Sequence, residues 1–483
     1  MKRPDPIACF GCGGSAPWSP AVASTMACLI AAMVAYGAPR AFAQPSMQTI
    51  LYNGPISNRL NIVVLSEGYT SNQLAQFPGD ATNAVNALLS HLPYQEYRSY
   101  FNAFAISVAS NESGSDHPAS GIYHDTYFNS TYDPVSDYLI TIPADSTGQG
   151  KIDALLQTFM PDCQLPILLV NDPTQGGSDG FFKTAIASTS VLFAEMPGWP
   201  PGILTHETGH VLAKLGDEYT TPYPGFPDTE EPNTTQQTNR LLIKWRAWIA
   251  TNTPVPTPDN VGEGVVGLFQ GAHYHTTGWY RPELNCAMGS LGVPFCSVCS
   301  EALVLAIYQR VRPVDGFSPA GTNFTVSTSQ AVAFSLALLQ PATHSLGVQW
   351  FTNGVPVATA TNSSFTLLTA AFDNGTNSVS AVVKDNTALV RNDPTNLLSQ
   401  AVNWTLNVSV PQMRLDSPLL LPGGKLVFRV AGYAPRGVVV QSTTDLLTWD
   451  PVVTNALVDG QFWYTNSPAS ESSQRFYRAA TTP

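Results

Sequence analysis

Residues 202 to 219 read GILTHETGHVLAKLGDEY, two histidines and three carboxylates within a segment that otherwise has the apolar density of a buried helix. His206 and His210 are four residues apart, so on a helix their rings share one face, one turn apart. That spacing lets both imidazoles reach a single Zn²⁺ at about 2.0–2.1 Å. Glu207 is rotated from His206 by about 100°. This suits a base acting on a metal-activated water better than it suits a ligand. The bland alternative is a helix whose two histidines face solvent. With only 8 histidines in 483 residues, a chance H-E-x-x-H has a probability on the order of half a percent.

The helix needs anchoring, and Ile203, Leu204, Val211, Leu212 and Leu215 supply a core-facing set. Gly216 is placed to end it as a left-handed C′ residue. A third ligand from a chain that doubles back after the helix is how metzincin-type sites are completed. In that pattern a glycine and then a ligand follow the second histidine at three-residue steps, where this chain has Ala213 and Gly216. Spacing therefore leaves Asp217 and Glu218 open as the third ligand. Downstream, Asn285-Cys286-Ala287-Met288-Gly289 could form a methionine turn beneath the metal, although a lone methionine is more often a gap-filler of the core. Tyr280 is the favoured donor to a tetrahedral oxyanion, with Tyr219 as the alternative. His117, His124, His273 and His275 read as structural or exposed and stay outside the metal set. Gly176 to Gly180 read as a turn leading to an edge strand, Lys183 to Phe193, that could bind peptide by strand addition, with an ordinary hairpin as the alternative.

A chain of 483 residues exceeds one hydrophobic core and predicts two to four domains. Asn61–Leu65 (NIVVL) and Ile167–Val170 (ILLV) are continuous apolar runs, expected of strands buried on both faces. Thr82–Leu92 and Lys151–Phe159 have helical apolar spacing. Residues 44–315 are thus expected to form an α/β (α+β) catalytic domain. After Pro313 helical patterns give way to short alternating strands. An immunoglobulin-like β-sandwich is expected over 316–409, with Trp350 as its core tryptophan. A C-terminal β-module is expected over 410–483. Its QSTTDLLTW and QRFYRA resemble a small module common at the C-termini of secreted bacterial proteins. These β-modules are candidates for holding a surface or polymer.

A net charge of −12 argues against a nucleic-acid partner, which would need a basic stripe. Lys2 and Arg3, the uncharged run Ala21–Ala38 and Ala41-Phe42-Ala43 read as a signal peptide over 1–43, cleaved near Ala43-Gln44. The exported chain would carry no membrane span. Four of the seven cysteines remain after that cut: Cys163, Cys286, Cys296 and Cys299. Disulfides are the default in an exported protein, which predicts a bridge from Cys286 to Cys296 or Cys299. The C-x₂-C at 296–299 lacks a second ligand pair at similar spacing, which argues against a structural zinc.

HETGHVLAKLGDEY, GLFQGAHYHTTGWYRPELNCAM, EPNTTQQTNRLLIKWRAWI and NIVVLSEGYTSNQLAQF, taken together, resemble the immunoglobulin A peptidase family of zinc metallopeptidases over residues 58 to 310. The resemblance implies a metzincin-like domain with His206, His210 and Asp217 as Zn²⁺ ligands and Glu207 as general base. It is the resemblance, not the spacing, that prefers Asp217 to Glu218. Where the family commonly has Gly-Asp-Gly-Tyr and Glu-Gly-Ala, this chain has Ser66-Glu67-Gly68-Tyr69 and Gln270-Gly271-Ala272, differences that bear on substrate contacts or folding. The expected activity is that of a secreted zinc-dependent endopeptidase acting on protein or peptide. Two alternatives are a non-catalytic adhesion protein carrying a relic peptidase domain, and a zinc hydrolase of another amide bond. An intact Glu207 weighs against the relic.

Overall fold

A computed structural model of the protein describes residues 44–190, 201–328, 330–434, 437–466 and 474–482. The expected signal segment and the end of the expected edge strand lie outside them. Six strands, β1 (Ser46–Leu51), β2 (Leu60–Glu67), β3 (Phe101–Ser107), β4 (Leu165–Val170), β5 (Gly177–Ser178) and β6 (Ala185–Ser188), form one sheet in the order β1-β3-β2-β4-β6-β5. The four inner strands run parallel, and both edges are antiparallel.

All eight residues of β2 are buried, because helices cover both faces of the sheet. Successive side chains alternate between the faces. Leu60, Ile62 and Val64 join a core with helices α1 (Phe77–Leu88), α3 (Ile203–Ala213) and α4 (Ser297–Arg310), while Val63 and Leu65 join another with Ile152 and Leu155 of helix α2 (Gln149–Phe159). Helix α1 begins five residues before the expected Thr82, with Pro78 in its first turn, where a missing N–H costs nothing. At the end of β2, the buried Glu67 carboxylate accepts hydrogen bonds from Thr126 Oγ1 (2.7 Å), Phe128 N (3.0 Å) and Ser130 N (2.9 Å). These bonds tie the end of β2 to the segment 126–130.

The glycine-rich stretch corrects the expected edge. Gly177–Ser178 is itself the edge strand, and Ala185–Ser188 lies one place inward, fully buried. A Cβ on Gly177 would stand 2.4 Å from Ile203 Cγ2. Only glycine lets this edge approach α3 so closely.

Val314–Ser318, Ala331–Leu338 and Ser364–Leu368 form a three-stranded sheet, and a five-stranded sheet from Asn323–Ser327, Gly347–Thr352, Val355–Pro356, Gly375–Lys384 and Ser399–Ser409 faces it. Trp350, stacked on Trp404 with Phe334 alongside, fills the space between the two sheets. The first of these strands runs across the expected boundary at residue 315. Two further three-stranded sheets follow, on a small core of Phe428, Val430, Val438 and Val440. The sandwich is tied back to the α/β part by polar contacts. Buried Asp385 accepts from Tyr97 (2.9 Å) and Tyr308 (2.7 Å), and Arg59 binds Asp315 through two nitrogens. Among the described residues no helix is long and apolar enough to cross a membrane.

Candidate metal centre

Helix α3 is buried almost all round, from Ile203 to Val211. Two backbone carbonyls decide how its histidines present themselves. His206 Nδ1 lies 2.8 Å from Ala287 O, and His210 Nδ1 lies 2.6 Å from Leu215 O. A carbonyl only accepts, so each Nδ1 carries a hydrogen, and in the neutral ring each Nε2 keeps its lone pair. The two Nε2 atoms then face one another at 3.1 Å. The Leu215 carbonyl reaches His210 because the helix stops early. Lys214, not Gly216, takes the left-handed conformation (φ 55°), at about 1–2 kcal/mol for a residue with a Cβ. Its ammonium is held by Phe182 O at 2.7 Å and Val211 O at 3.0 Å. Gly216 serves a different end: a Cβ there would meet Glu231 Oε2 at 2.5 Å.

The reversal brings Asp217 to the same point. Its Oδ1 is 3.1 Å from His206 Nε2 and 3.4 Å from His210 Nε2, is buried, and has no hydrogen-bond donor among the described residues. Its Oδ2 accepts from Tyr274 Oη at 2.6 Å. Glu218 turns the other way, with Oε1 accepting from Asn233 Nδ2 at 2.8 Å. Two lone-pair nitrogens and a carboxylate oxygen thus stand 3.1–3.4 Å apart. Tetrahedral bonds of about 2.0–2.1 Å to one cation hold ligand atoms about 3.3 Å apart. The donor set fits a metal, and the orphaned Asp217 Oδ1 lacks a partner without one.

Electrostatics point the same way. Burial opposes a charge on His210, yet Asp217 and Glu207 raise its pKa to about 10, and the same balance raises His206. Burial pushes the Asp217 carboxyl up, but the two histidines hold it far below the ordinary range. The pocket calls for positive charge among these three groups. Glu207, buried beside them without ligand geometry, is pushed by desolvation up to about 7. A Cβ on Gly177 of edge strand β5 would come within 3.5 Å of its Cγ.

Other expected residues fall around this centre or away from it. Met288 is fully buried under α3, where a Cβ on Gly209 would meet its Sδ at 3.1 Å. Tyr280 has its backbone paired with Thr235 and its ring against the main core. The tyrosines that meet the three-residue cluster are Tyr219, stacked on the His206 ring, and Tyr274. Tyr274 went unnoticed in the sequence. Its signal was a position between two histidines, in a stretch where His273 and Tyr274 both take positive φ. His273 bonds Pro227 O and stacks on Trp279, and His117 pairs with Asp172. Neither belongs to the three-residue cluster.

The expected disulfide is corrected. Cys163, Cys286, Cys296 and Cys299 are all free. Cys286 Sγ and Cys299 Sγ stand 3.5 Å apart, against about 2.05 Å for an S–S bond. With Cys296 they gather around Glu218.

A family model described as IgA Peptidase M64 matches residues 49–263 and 259–307, together more than half of the chain. No curated protein matches it. Among solved structures, the apo form of Bacteroides uniformis beta-glucuronidase 3 is similar at 10% identity and a TM-score of 0.13, over 40% of this chain and 25% of that one. The chain thus spans a quarter of that enzyme, and a score so low carries no argument.

Proposed function

Because this chain belongs to the IgA Peptidase M64 family, and is therefore a peptidase whose family implies a metal cofactor, we propose that it is a secreted zinc-dependent endopeptidase. The observation that carries the reading is the meeting of His206 Nε2, His210 Nε2 and Asp217 Oδ1 within 3.4 Å of one another, with Glu207 alongside. These three residues would hold Zn²⁺ and leave a fourth position open, the pattern of catalytic rather than structural zinc. When bound, Zn²⁺ acidifies a water and polarises a substrate carbonyl.

The chain's own groups do the rest. Glu207, with a carboxyl pushed up to about 7, accepts the proton of the attacking water and returns it to the leaving amine. The Ala287 and Leu215 carbonyls fix the imidazole tautomers, and Tyr274 orients Asp217 through its other oxygen. Such outer contacts set ligand basicity and orientation. Strand β5 lies beside Glu207, but its outer side is already met by residues 138–140, with Gly177 N–H donating to Tyr138 O at 3.0 Å, so the expected addition of a peptide strand has no free edge there. The substrate class is an unstructured protein or peptide. The test is cleavage of a denatured protein by the full chain with and without a chelator, followed by re-addition of Zn²⁺. Chelator-insensitive cleavage would remove the zinc reading, and no cleavage under any of these conditions would remove the peptidase reading for this chain.

A further inference from the structure

One polar cluster in the α/β part has no role in peptide hydrolysis. Cys286, Cys296, Cys299 and Glu218 are all buried, and each offers a ligand atom within 4.8 Å of the others. Cys286 Sγ is 3.5 Å from Cys299 Sγ, and Cys299 Sγ is 3.6 Å from Glu218 Oε1. A tetrahedral centre with metal–sulfur bonds of about 2.3 Å and a metal–oxygen bond of about 2.0 Å would space its ligands by about 3.8 Å and 3.5 Å. Packing alone gives no reason for a carboxylate to be sealed among three sulfurs. Glu218 Oε1 accepts from Asn233 Nδ2 and from Cys299 Sγ, while its Oε2 is buried with no partner among the described residues.

The backbone around the sulfurs is arranged for negative charge. Cys296 N–H donates to Cys286 Sγ at 3.3 Å, and Cys299 N–H donates to Cys296 Sγ at 3.4 Å. Cys296 caps the N-terminus of the fourteen-residue α4, and Cys299 lies in its first turn, where the helix dipole favours thiolates. A disulfide would use two of the three sulfurs and leave Glu218 and the remaining thiol unexplained.

We infer that Glu218, Cys286, Cys296 and Cys299 form a second metal site, a closed structural one that takes Zn²⁺ through three thiolates and a carboxylate. Soft thiolates in a tetrahedral set select zinc over the hard cations, and four protein ligands leave no position for substrate. The site clamps three separate stretches of chain: the segment carrying Asp217, the turn carrying Ala287 and Met288, and the start of α4. Glu218 N–H also bonds Met288 O at 2.8 Å across the first two. Loss of the second metal therefore loosens the carbonyl that holds His206 and the carboxylate beside it.

The test is metal analysis of the full chain purified without chelator, beside the H206A/H210A variant and the same variant carrying C299S. About two zinc per chain are expected in the wild type, about one in the double variant and less than one in the triple, on the four-ligand logic. Replacement of the zinc left in the double variant by Co²⁺ should give thiolate-to-cobalt charge-transfer absorption. Retention of that absorption decides for the site even if the triple variant does not fold. Absence of zinc from a folded double variant overturns it. So does recovery of a Cys286, Cys296 or Cys299 disulfide by alkylation of the denatured, unreduced chain. Because the histidine pair is already removed, none of these outcomes depends on the peptidase reading.

Discussion

Asp217 and Glu218 are neighbours with the same functional group, and they end in opposite settings. Asp217 joins two imidazoles in a pocket that three protein groups leave open on one side. Its side chain keeps 13% of its exposure. Glu218 is sealed with three sulfurs, 3% exposed. The difference follows from local geometry, since consecutive side chains of an extended segment point to opposite sides. That segment is pinned on both flanks: His273 N–H bonds Asp217 O, Tyr274 N–H bonds Tyr219 O, and Glu218 N–H bonds Met288 O. An open three-ligand pocket suits chemistry and a closed four-ligand one suits structure. On the proposed reading one short extended segment serves both.

The largest effect that can test this contrast comes from a group that ligates in neither pocket. Glu207→Gln should retain zinc and fold while losing about 10²–10⁴-fold in kcat, the share that a positioned general base supplies. Peptide hydrolysis assays paired with metal analysis check it, and near-wild-type turnover would break the division between base and ligands.

The carboxylates themselves come next. Asp217→Ala should strongly weaken retention of the metal in the histidine pocket and lower cleavage only as far as that metal is lost. Glu218→Ala should weaken retention of that metal much less, while lowering melting temperature. Chelator competition on the two variants ranks them, and the reverse order would exchange the roles of the two neighbours.

A smaller change is expected for Tyr274→Phe, which removes the 2.6 Å bond to Asp217 Oδ2. An outer partner of a ligating group is worth about 10–100-fold in metal affinity or activity. Weakened zinc retention, with little change in melting temperature of the metal-free protein, would mark the contact as one that serves the ligand.

The smallest effect concerns a histidine used in the opposite protonation state. His344 bridges Glu96 (2.8 Å) and Asp385 (2.7 Å) where the β-sandwich meets the α/β part. Partial burial opposes its charge, but Asp385 and Glu96 outweigh this and raise its pKa. A histidine raised in the folded state binds its proton more tightly there than when unfolded. Its stabilisation is therefore complete below the unfolded value of about 6.5 and fades as pH rises through the folded one. His344→Gln should lower stability by about 1 kcal/mol or less at low pH, the scale of a partly exposed pair. The gap from wild type should close at alkaline pH, as denaturant titrations at several pH values would show. A gap that widens with pH would refute the assignment.

Much of this was legible in order along the chain. The unbroken apolar runs NIVVL and ILLV marked β2 and β4, and the i, i+4 pairing put His206 and His210 on one helical face, because both patterns follow from local backbone geometry. The alternating runs after Pro313 likewise became strands where they were expected, with Trp350 between two sheets. Contacts between distant segments carry no such periodic signal. Spacing could not separate Asp217 from Glu218, since the choice depends on where the chain turns, and it turns at Lys214 rather than at Gly216. The glycines at 176 and 177 read as a turn, but pairing with Ala187 and Ile186 makes Gly177–Ser178 an edge strand. Cys286, expected from spacing to be bridged to Cys296 or Cys299, has its sulfur 3.5 Å from that of Cys299, and Glu218, 68 positions before Cys286 in the chain, shares their pocket. The sequence by itself determined which groups could do chemistry and which elements carry them. Only the packing of those elements decided which groups meet, because a pocket is built from separations in space that sequence distance does not encode.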